Sequence, residues 1–223
     1  MLVLFDLDGT LADTAHDLIA ATNHVRISQG LAPMPPELLR NSISAGTVGL
    51  LKVALGIDKN DPDFPKLRQI LLDYYADHLH THTTLFPHIR ELLNGLSDQK
   101  IKWGIVTNKP TQYTLPLIAF LGLDKDSQAC VCGDTLIQAK PHPAPLFYAA
   151  GLAHSHPSET IYIGDSLTDI QAAQAAGMKS IAAAYGYCDS DDALSWKADA
   201  VAFTSEELSD HIHTLAQTLN TTH

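Results

Sequence analysis

Short apolar runs recur along this chain, and each one ends in Asp, Thr or Gly before a stretch with helical periodicity. Alternating strands and helices of this kind are typical of a parallel sheet that is covered by helices on both faces. We therefore predict an α/β fold, a doubly wound parallel sheet. The predicted strands are Leu2–Leu7, Ile101–Thr107, Ala129–Cys132, Ile161–Asp165, Ser180–Ala184 and Ala200–Phe203, and the helices between them are His88–Leu96, Thr111–Leu121, Pro143–Ala150, Thr168–Ala176 and one from Glu206.

The segment between Asp13 and about His82 differs from the rest, because it has helical patterns and no strand-like run. We interpret it as a small all-helical domain, residues 14–82, inserted after the first strand. Residues 1–13 and 83–223 then form the α/β core domain. The helical patterns in the insertion are Asp17–Gln29, Glu37–Ser42, Val48–Leu55 and Phe64–Leu79.

Charge and composition exclude several classes of protein. Of the 223 residues, 45% are hydrophobic and 17% are charged, which rules out a disordered or fibrous chain. The formal net charge of −11 would repel a nucleic-acid backbone, so we expect no nucleic-acid partner. No apolar run reaches the ~18 residues that a membrane-spanning helix needs, so we expect no membrane association.

The cysteines indicate a reducing compartment. Cys130, Cys132 and Cys188 are an odd number and lack zinc-site spacing, and the first two lie in an apolar run as buried small residues do. We therefore expect a cytoplasmic protein. Its oligomeric state is left open between monomer and homodimer.

Four polar clusters fall at or just after the carboxyl ends of predicted strands, the edge where open α/β sheets bind ligands. Taken singly, each has an ordinary explanation. Aspartates beside a glycine favour turns, Gly-Asp-Ser can cap a helix, and Thr, Asn and Lys are common loop residues. Together they predict an acid-rich pocket with one lysine. The clusters are Asp6-Leu7-Asp8-Gly9-Thr10, Thr107-Asn108, Lys140-Pro141 and Gly164-Asp165-Ser166-Leu167-Thr168-Asp169.

Such a residue set favours magnesium-assisted chemistry on a phosphate ester. Converging carboxylates without His or Cys suit a hard cation with oxygen ligands, which favours Mg²⁺ over zinc. One carboxylate can attack phosphorus and form an aspartyl-phosphate, with Mg²⁺ and Lys140 offsetting the repulsion between anions. A second acid two residues further on could protonate the leaving oxygen and later activate water, a role that suits Asp8.

These four clusters resemble the four motifs of the haloacid dehalogenase superfamily, whose core is Rossmann-like, and the resemblance spans essentially the whole chain. It implies that Asp6 is the nucleophile and Asp8 the general acid/base. It also implies that Thr107 and Asn108 hold the phosphoryl oxygens and that Lys140 bridges nucleophile and phosphate. The implied Mg²⁺ ligands are Asp6, the Asp8 backbone carbonyl and Asp165, with Asp169 behind them orienting water or Lys140.

The helical insertion resembles the small cap domain of the phosphoglycolate phosphatase-like branch, which closes over substrate. We expect the stretch Arg40–Thr47 to face the substrate, and the alternative is a plain turn between helices. The candidate contacts in this stretch are Arg40, Ser44, Gly46 and Thr47.

Within that branch, two kinds of substrate are implied, N-acetylmuramic acid 6-phosphate and 2-phosphoglycolate. The stretches that resemble phosphatases of the first compound include Ile43–Gly46 and Tyr185–Asp199. The expected partner is accordingly a small phosphorylated metabolite. Three other functions stay open: a phosphomutase of the same fold, a dehalogenase, and a catalytically silent binding module. Asp8 disfavours the dehalogenase, because departing halide needs no acid.

Two further clusters are set aside. The alternating histidines His78, His80 and His82 do not share one helix face, so we interpret them as a solvated helix end. The acidic run Asp189–Asp192 is predicted to be a solvated loop.

Overall fold

The computed structural model describes residues 1–220 and contains a six-stranded sheet in the order β5-β4-β1-β6-β7-β8. Every strand pair with a stated register in this sheet is parallel. Ordered along the chain, this is the 3-2-1-4-5-6 arrangement of doubly wound folds, so the predicted fold class is confirmed. The sheet strands are β1 (Leu2–Phe5), β4 (Lys102–Val106), β5 (Cys130–Val131), β6 (Thr160–Gly164), β7 (Lys179–Ala183) and β8 (Ala200–Ala202).

The central strands are buried along their whole length, as strands covered on both faces must be. All four residues of β1 and all five of β6 are inaccessible to solvent. Their apolar side chains pack against alanine-rich helices on the sheet faces. The helices that accompany the sheet are α5 (Ile89–Asp98), α6 (Thr111–Phe120), α7 (Ala144–Leu152), α8 (Leu167–Ala176), α9 (Ser190–Ser195) and α10 (Leu208–Asn220).

The chain divides into two compact units, Met1–Ala12 with Leu85–His223, and Asp13–Thr84. The second unit is built from helices α1 (Ala15–Ser28), α2 (Pro36–Leu39), α3 (Gly46–Leu55) and α4 (Phe64–Asp77), with a 3-10 turn over Arg40–Ala45.

A buried carboxylate, Asp17, ties the two ends of the helical unit together. It accepts hydrogen bonds from the backbone N–H groups of His82 and Thr83, at 3.0 to 3.1 Å, and from the Thr83 hydroxyl at 2.8 Å. Because Asp17 and Thr83 are both buried, their hydrogen bonds fix where the last segment of the unit lies against α1.

The structure corrects two details of the sequence interpretation. The acidic run Asp189–Asp192 is not a loop: Asp189 caps α9, and its side chain accepts the Asp191 N–H at 3.0 Å. Acidic residues in the first turn stabilise a helix N-terminus. The same residues are also common in loops, so the sequence did not distinguish the helix from a loop. Two short strands, β2 (Ala12–Asp13) and β3 (Thr84–Leu85), were also missed and form a separate two-stranded sheet.

Asp199 joins β7 to the segment that precedes β8. One oxygen accepts the Ser180 backbone N–H at 2.8 Å, and the other lies 2.7 Å from the Lys179 ammonium. Burial opposes ionisation of this carboxyl, but the hydrogen bonds from Lys179 and Ser180 outweigh it and lower the pKa of Asp199. The residue is therefore an anchor of the sheet edge.

Asp199→Ala should destabilise the fold by about 1 to 3 kcal/mol, because the Ser180 N–H loses a charged acceptor. Urea unfolding at pH 7 measures the change. Since the folded-state pKa is lowered, the stabilisation is full above about pH 4 and is lost as the pH falls through the lowered value. A variant as stable as the wild type at pH 7 would contradict the anchoring role.

Within residues 1–220, none of the helices combines the length and apolar character required to cross a membrane. The three cysteines in that range are free thiols.

Candidate active site

Three sheet strands and one loop bring the predicted site residues together. Asp6 directly follows β1, Thr107 follows β4 and Asp165 follows β6, and these three strands are neighbours in the sheet. Lys140 lies in the loop that precedes α7. The strand order reverses at β1, and this crevice at the carboxyl ends is where doubly wound folds bind ligands.

The Lys140 ammonium is the buried centre of the site. Its side chain is 2% exposed, and Nζ lies 3.0 Å from Asp6 Oδ1 and 2.7 Å from Asp169 Oδ1. It also donates to the Val106 carbonyl at 2.9 Å and to the Tyr162 hydroxyl at 2.7 Å. A buried cation is tolerable only with partners of this kind, so the lysine holds the two carboxylates together.

This enclosure shifts the ionisation of both partners. Burial raises the pKa of Asp6 to about 6; the nearby Lys140 ammonium opposes that shift, and the Asp169 and Asp8 carboxylates add to it. Burial disfavours the charged form of Lys140 as well, but the carboxylates of Asp169 and Asp6 outweigh it and raise its pKa. Lys140 therefore stays protonated and supplies a fixed positive charge beside Asp6.

Asp169 is fully buried and contacts Lys140 on one side and a helix N-terminus on the other. Its Oδ2 accepts the backbone N–H of Ser166 at 3.0 Å and the Ser166 hydroxyl at 2.6 Å, which completes a capping box on α8. Asp169 can therefore cap the helix and contact Lys140 at the same time, because each role uses a different carboxylate oxygen.

Asp8 is paired with a lysine that the sequence interpretation did not include. Lys109 Nζ lies 2.9 and 3.2 Å from the two Asp8 carboxylate oxygens, and both side chains are mostly enclosed. Lys109 directly follows the Thr107-Asn108 cluster in the sequence. That adjacency was the available signal, but a lysine after a strand is too common to single out.

The Asn108 side chain serves the Lys140 loop. Its amide nitrogen donates to the Lys140 carbonyl, and its amide oxygen accepts the Lys140 backbone N–H, both at 3.0 Å. Beside it, the Thr107 hydroxyl oxygen accepts the Lys109 N–H at 3.2 Å, and its own proton can still be donated to a ligand. The Thr107 hydroxyl can thus still donate to a ligand, whereas the Asn108 side-chain amide is bonded to the Lys140 backbone through both its nitrogen and its oxygen.

Carboxylate oxygens of Asp6, Asp165 and Asp169 lie within 4.8 Å of one another and form a group that could hold a metal ion. The donors in this group are all hard oxygens, which fits Mg²⁺ and disfavours zinc. Both oxygens of Asp169 are already engaged, one with Lys140 and the other with Ser166. Asp6 and Asp165 are therefore the better metal donors. The resemblance predicts a third ligand from Asp8, which is its backbone carbonyl oxygen and not its side chain.

The predicted substrate contacts Arg40, Ser44, Gly46 and Thr47 belong to the helical unit, in the 3-10 turn and the start of α3. Within that unit, Arg40 lies 3.5 Å from Asp13, and Thr47 accepts a hydrogen bond from Arg68 at 3.2 Å.

Tyr162 was also missed. Its hydroxyl accepts from Lys140 and lies within hydrogen-bonding distance of Val106 O and Asp169 Oδ1. Burial and the charges of Asp169 and Asp6 raise its pKa, so the phenol stays neutral. A tyrosine inside an apolar strand carries no sequence signal of such a role, because buried aromatic residues are ordinary in strands.

Comparison with known proteins identifies the family of the chain. The sequence model of the haloacid dehalogenase-like hydrolase family matches residues 3–183, and the chain belongs to this family. The crystal structure of a predicted phosphoglycolate phosphatase from Haemophilus somnus superposes with a TM-score of 0.84 and 28% identity, covering 95% of this chain and 97% of that one.

Two similar relatives are phosphatases. N-acetylmuramic acid 6-phosphate phosphatase of Pseudomonas aeruginosa is 37% identical over 209 residues, 93% of this chain and 92% of the relative. Phosphoglycolate phosphatase of Xanthomonas campestris pv. campestris is 38% identical over 206 residues, 89% of this chain and 90% of the relative. The chain is accordingly a phosphoric monoester hydrolase.

Proposed function

We propose that this enzyme is a Mg²⁺-dependent phosphomonoesterase that acts through a phosphorylated Asp6. The observation that carries the proposal is the buried Lys140 ammonium, which bridges Asp6 and Asp169 beside Asp165. A carboxylate next to a fixed cation and a group of hard oxygen donors is suited to receive a phosphoryl group.

In this mechanism Asp6 attacks phosphorus, and the bond to the leaving oxygen breaks. Asp8 enters the cycle protonated and donates that proton to the leaving oxygen; its carboxylate then accepts a proton from the water that hydrolyses the aspartyl-phosphate, which restores the starting form. Lys140 and the Thr107 hydroxyl stabilise the phosphoryl oxygens while Lys109 holds the Asp8 side chain. Asp6, Asp165 and the Asp8 carbonyl would hold Mg²⁺, which supplies positive charge against the phosphoryl oxygens when bound.

We propose N-acetylmuramic acid 6-phosphate and 2-phosphoglycolate as the two candidate substrates, on the strength of the relatives. Tyr185 and Asp199, the two ends of the second stretch that resembles phosphatases of the first compound, make contacts within the core unit. The choice falls to the helical unit, which we propose to be a cap with Arg40, Ser44, Gly46 and Thr47 as contacts. We also propose a cytoplasmic location.

Phosphate release is the direct test of substrate and metal. We expect a strong kcat/KM preference for one of the two candidates over an aryl phosphate. Treatment with a chelator should lower the rate at least about 100-fold, and added Mg²⁺ should restore it, because the anionic cluster needs a cation. Equal rates with and without chelator would contradict the metal requirement, and equal weak rates on all three compounds would indicate another substrate.

Lys109→Met should lower kcat about tenfold for alkyl phosphates and less for an aryl phosphate. The alkyl leaving oxygen is more basic and needs the proton from Asp8, whose carboxylate loses its anchor. Lys109→Arg should recover part of the loss. The ratio of alkyl to aryl rates is the measurement, and an equal loss on both substrates would contradict a role through Asp8.

A further inference from the structure

The segment Tyr185–Tyr187, after β7, contacts the loop that follows β1. The Tyr185 hydroxyl donates to the Thr10 carbonyl at 2.8 Å, and the Tyr187 hydroxyl donates to the Ala12 carbonyl at 3.4 Å. Thr10 belongs to the loop that carries Asp8, and Ala12, the first residue of β2, directly follows that loop. The segment therefore holds that loop by its backbone, from a position 175 residues away in the sequence.

The same segment also holds Asp165. The backbone N–H of Tyr187 donates to Asp165 Oδ2 at 2.9 Å, and both residues are 1% exposed. A hydrogen bond to a buried carboxylate fixes the rotation of its side chain, since no water can compete for it. One Asp165 oxygen is thereby held by the protein, which sets the direction of the other.

Gly186 lies between these contacts and leaves no space for a side chain. A Cβ atom at this position would overlap the Gly9 carbonyl oxygen and Asp165 Cβ, at distances that real Cβ atoms do not show. Gly9, whose φ is +81°, is closed in the same way by Asp165 Oδ2 and the Tyr187 ring. The segment, the β1 loop and Asp165 thus pack directly on one another.

We propose that Tyr185–Tyr187 is a positioning element that sets the affinity of the metal site. It holds Asp165 on one side and the loop carrying Asp8 on the other, so displacing it separates the donors. The proposal rests on the cation site of the proposed function. None of the three residues is placed in contact with substrate or metal, and their effect is exerted through Asp165 and the β1 loop.

Mn²⁺ binding to the purified protein, counted by electron paramagnetic resonance of the free ion, tests the proposal without any substrate. Mn²⁺ accepts the same oxygen donors as Mg²⁺ and is visible to the method. Gly186→Ala should raise the Mn²⁺ Kd about 10- to 100-fold, the range for residues that orient metal ligands. The matched control is Gly151→Ala in α7, where an added Cβ meets nothing within 4 Å and the Kd should not change.

Tyr185→Phe keeps the ring and removes only the hydroxyl that is bonded to Thr10. This variant tests the positioning role of the segment even if Gly186→Ala does not fold. We expect a smaller rise in Kd, about threefold, against no change for Tyr148→Phe, whose ring is exposed on α7. Circular dichroism establishes that each variant is folded. Unchanged Mn²⁺ binding in the folded segment variants would overturn the proposal.

Asp165→Asn separates this failure from failure of the proposed function. If wild type binds Mn²⁺ and Asp165→Asn does not, the cation site stands and the segment variants alone judge the proposal. If Asp165→Asn binds Mn²⁺ as well as wild type does, the cation site itself is wrong, and the role of Tyr185–Tyr187 falls with it.

Discussion

Asp6→Asn should abolish phosphate release while leaving the fold intact. The amide is nearly the same size as the carboxylate but cannot attack phosphorus, so we expect kcat to fall by roughly 10⁴-fold or more. The substitution also leaves Lys140 with Asp169, Val106 and Tyr162 as partners, which preserves the buried cation. Initial rates measured with and without Mg²⁺ give the result.

Asp73→Asn is the matched control for this loss. Asp73 is an exposed carboxylate on α4 that accepts a hydrogen bond from Gln69, and the same chemical change there should leave kcat unaltered. Mass spectrometry of enzyme mixed with substrate adds a direct readout, because a phosphorylated chain should appear in wild type and be missing in Asp6→Asn. Substantial turnover by Asp6→Asn would remove Asp6 as the nucleophile.

Lys140→Ala should damage both activity and stability. Removing the ammonium leaves Asp6 and Asp169 buried near each other without their shared counter-charge. We expect kcat to fall by roughly 10²- to 10³-fold, as for loss of a fixed stabiliser of developing charge. The free energy of unfolding should fall by about 3 kcal/mol, because breaking a buried ion pair leaves an uncompensated charge. Urea titration and initial rates measure the two effects.

Lys179→Ala separates the buried lysine from ion pairing in general. Lys179 lies 2.7 Å from Asp199, the same distance as Lys140 from Asp169, but its side chain is 38% exposed. Its removal should cost about 1 kcal/mol or less and leave kcat unchanged. A Lys140→Ala variant with nearly normal kinetics would take this lysine out of the mechanism.

The sequence predicts the centre of the sheet well because burial on both faces leaves an unmistakable apolar run in the central strands. Leu2–Phe5 is such a run, and its neighbour β6 shows the same pattern. The predicted site residues Asp6, Thr107 and Asp165 share one edge because parallel strands finish there. Lys140, from the loop before α7, and Asp169, from the first turn of α8, meet Asp6 at that edge. Sheet topology therefore accounts for the three residues at the strand ends.

Other features depend on side-chain direction, which periodicity does not encode. Lys109 reaches Asp8, and Asn108 turns toward the Lys140 backbone, through rotamer choices that only packing decides. Tyr162 has no motif, because its hydroxyl acts inside a strand that looks purely apolar. Helix α9 was missed because its acidic first turn has the composition of a loop.

The place of β1 in the sheet has a consequence for the order of events in folding. This strand is the first in the chain, yet its two partners, β4 and β6, begin at Lys102 and Thr160. Closing such long segments is slow relative to forming helices. On refolding, helix content should therefore recover before the lysine and its carboxylates meet, so that catalysis is among the last properties the chain regains.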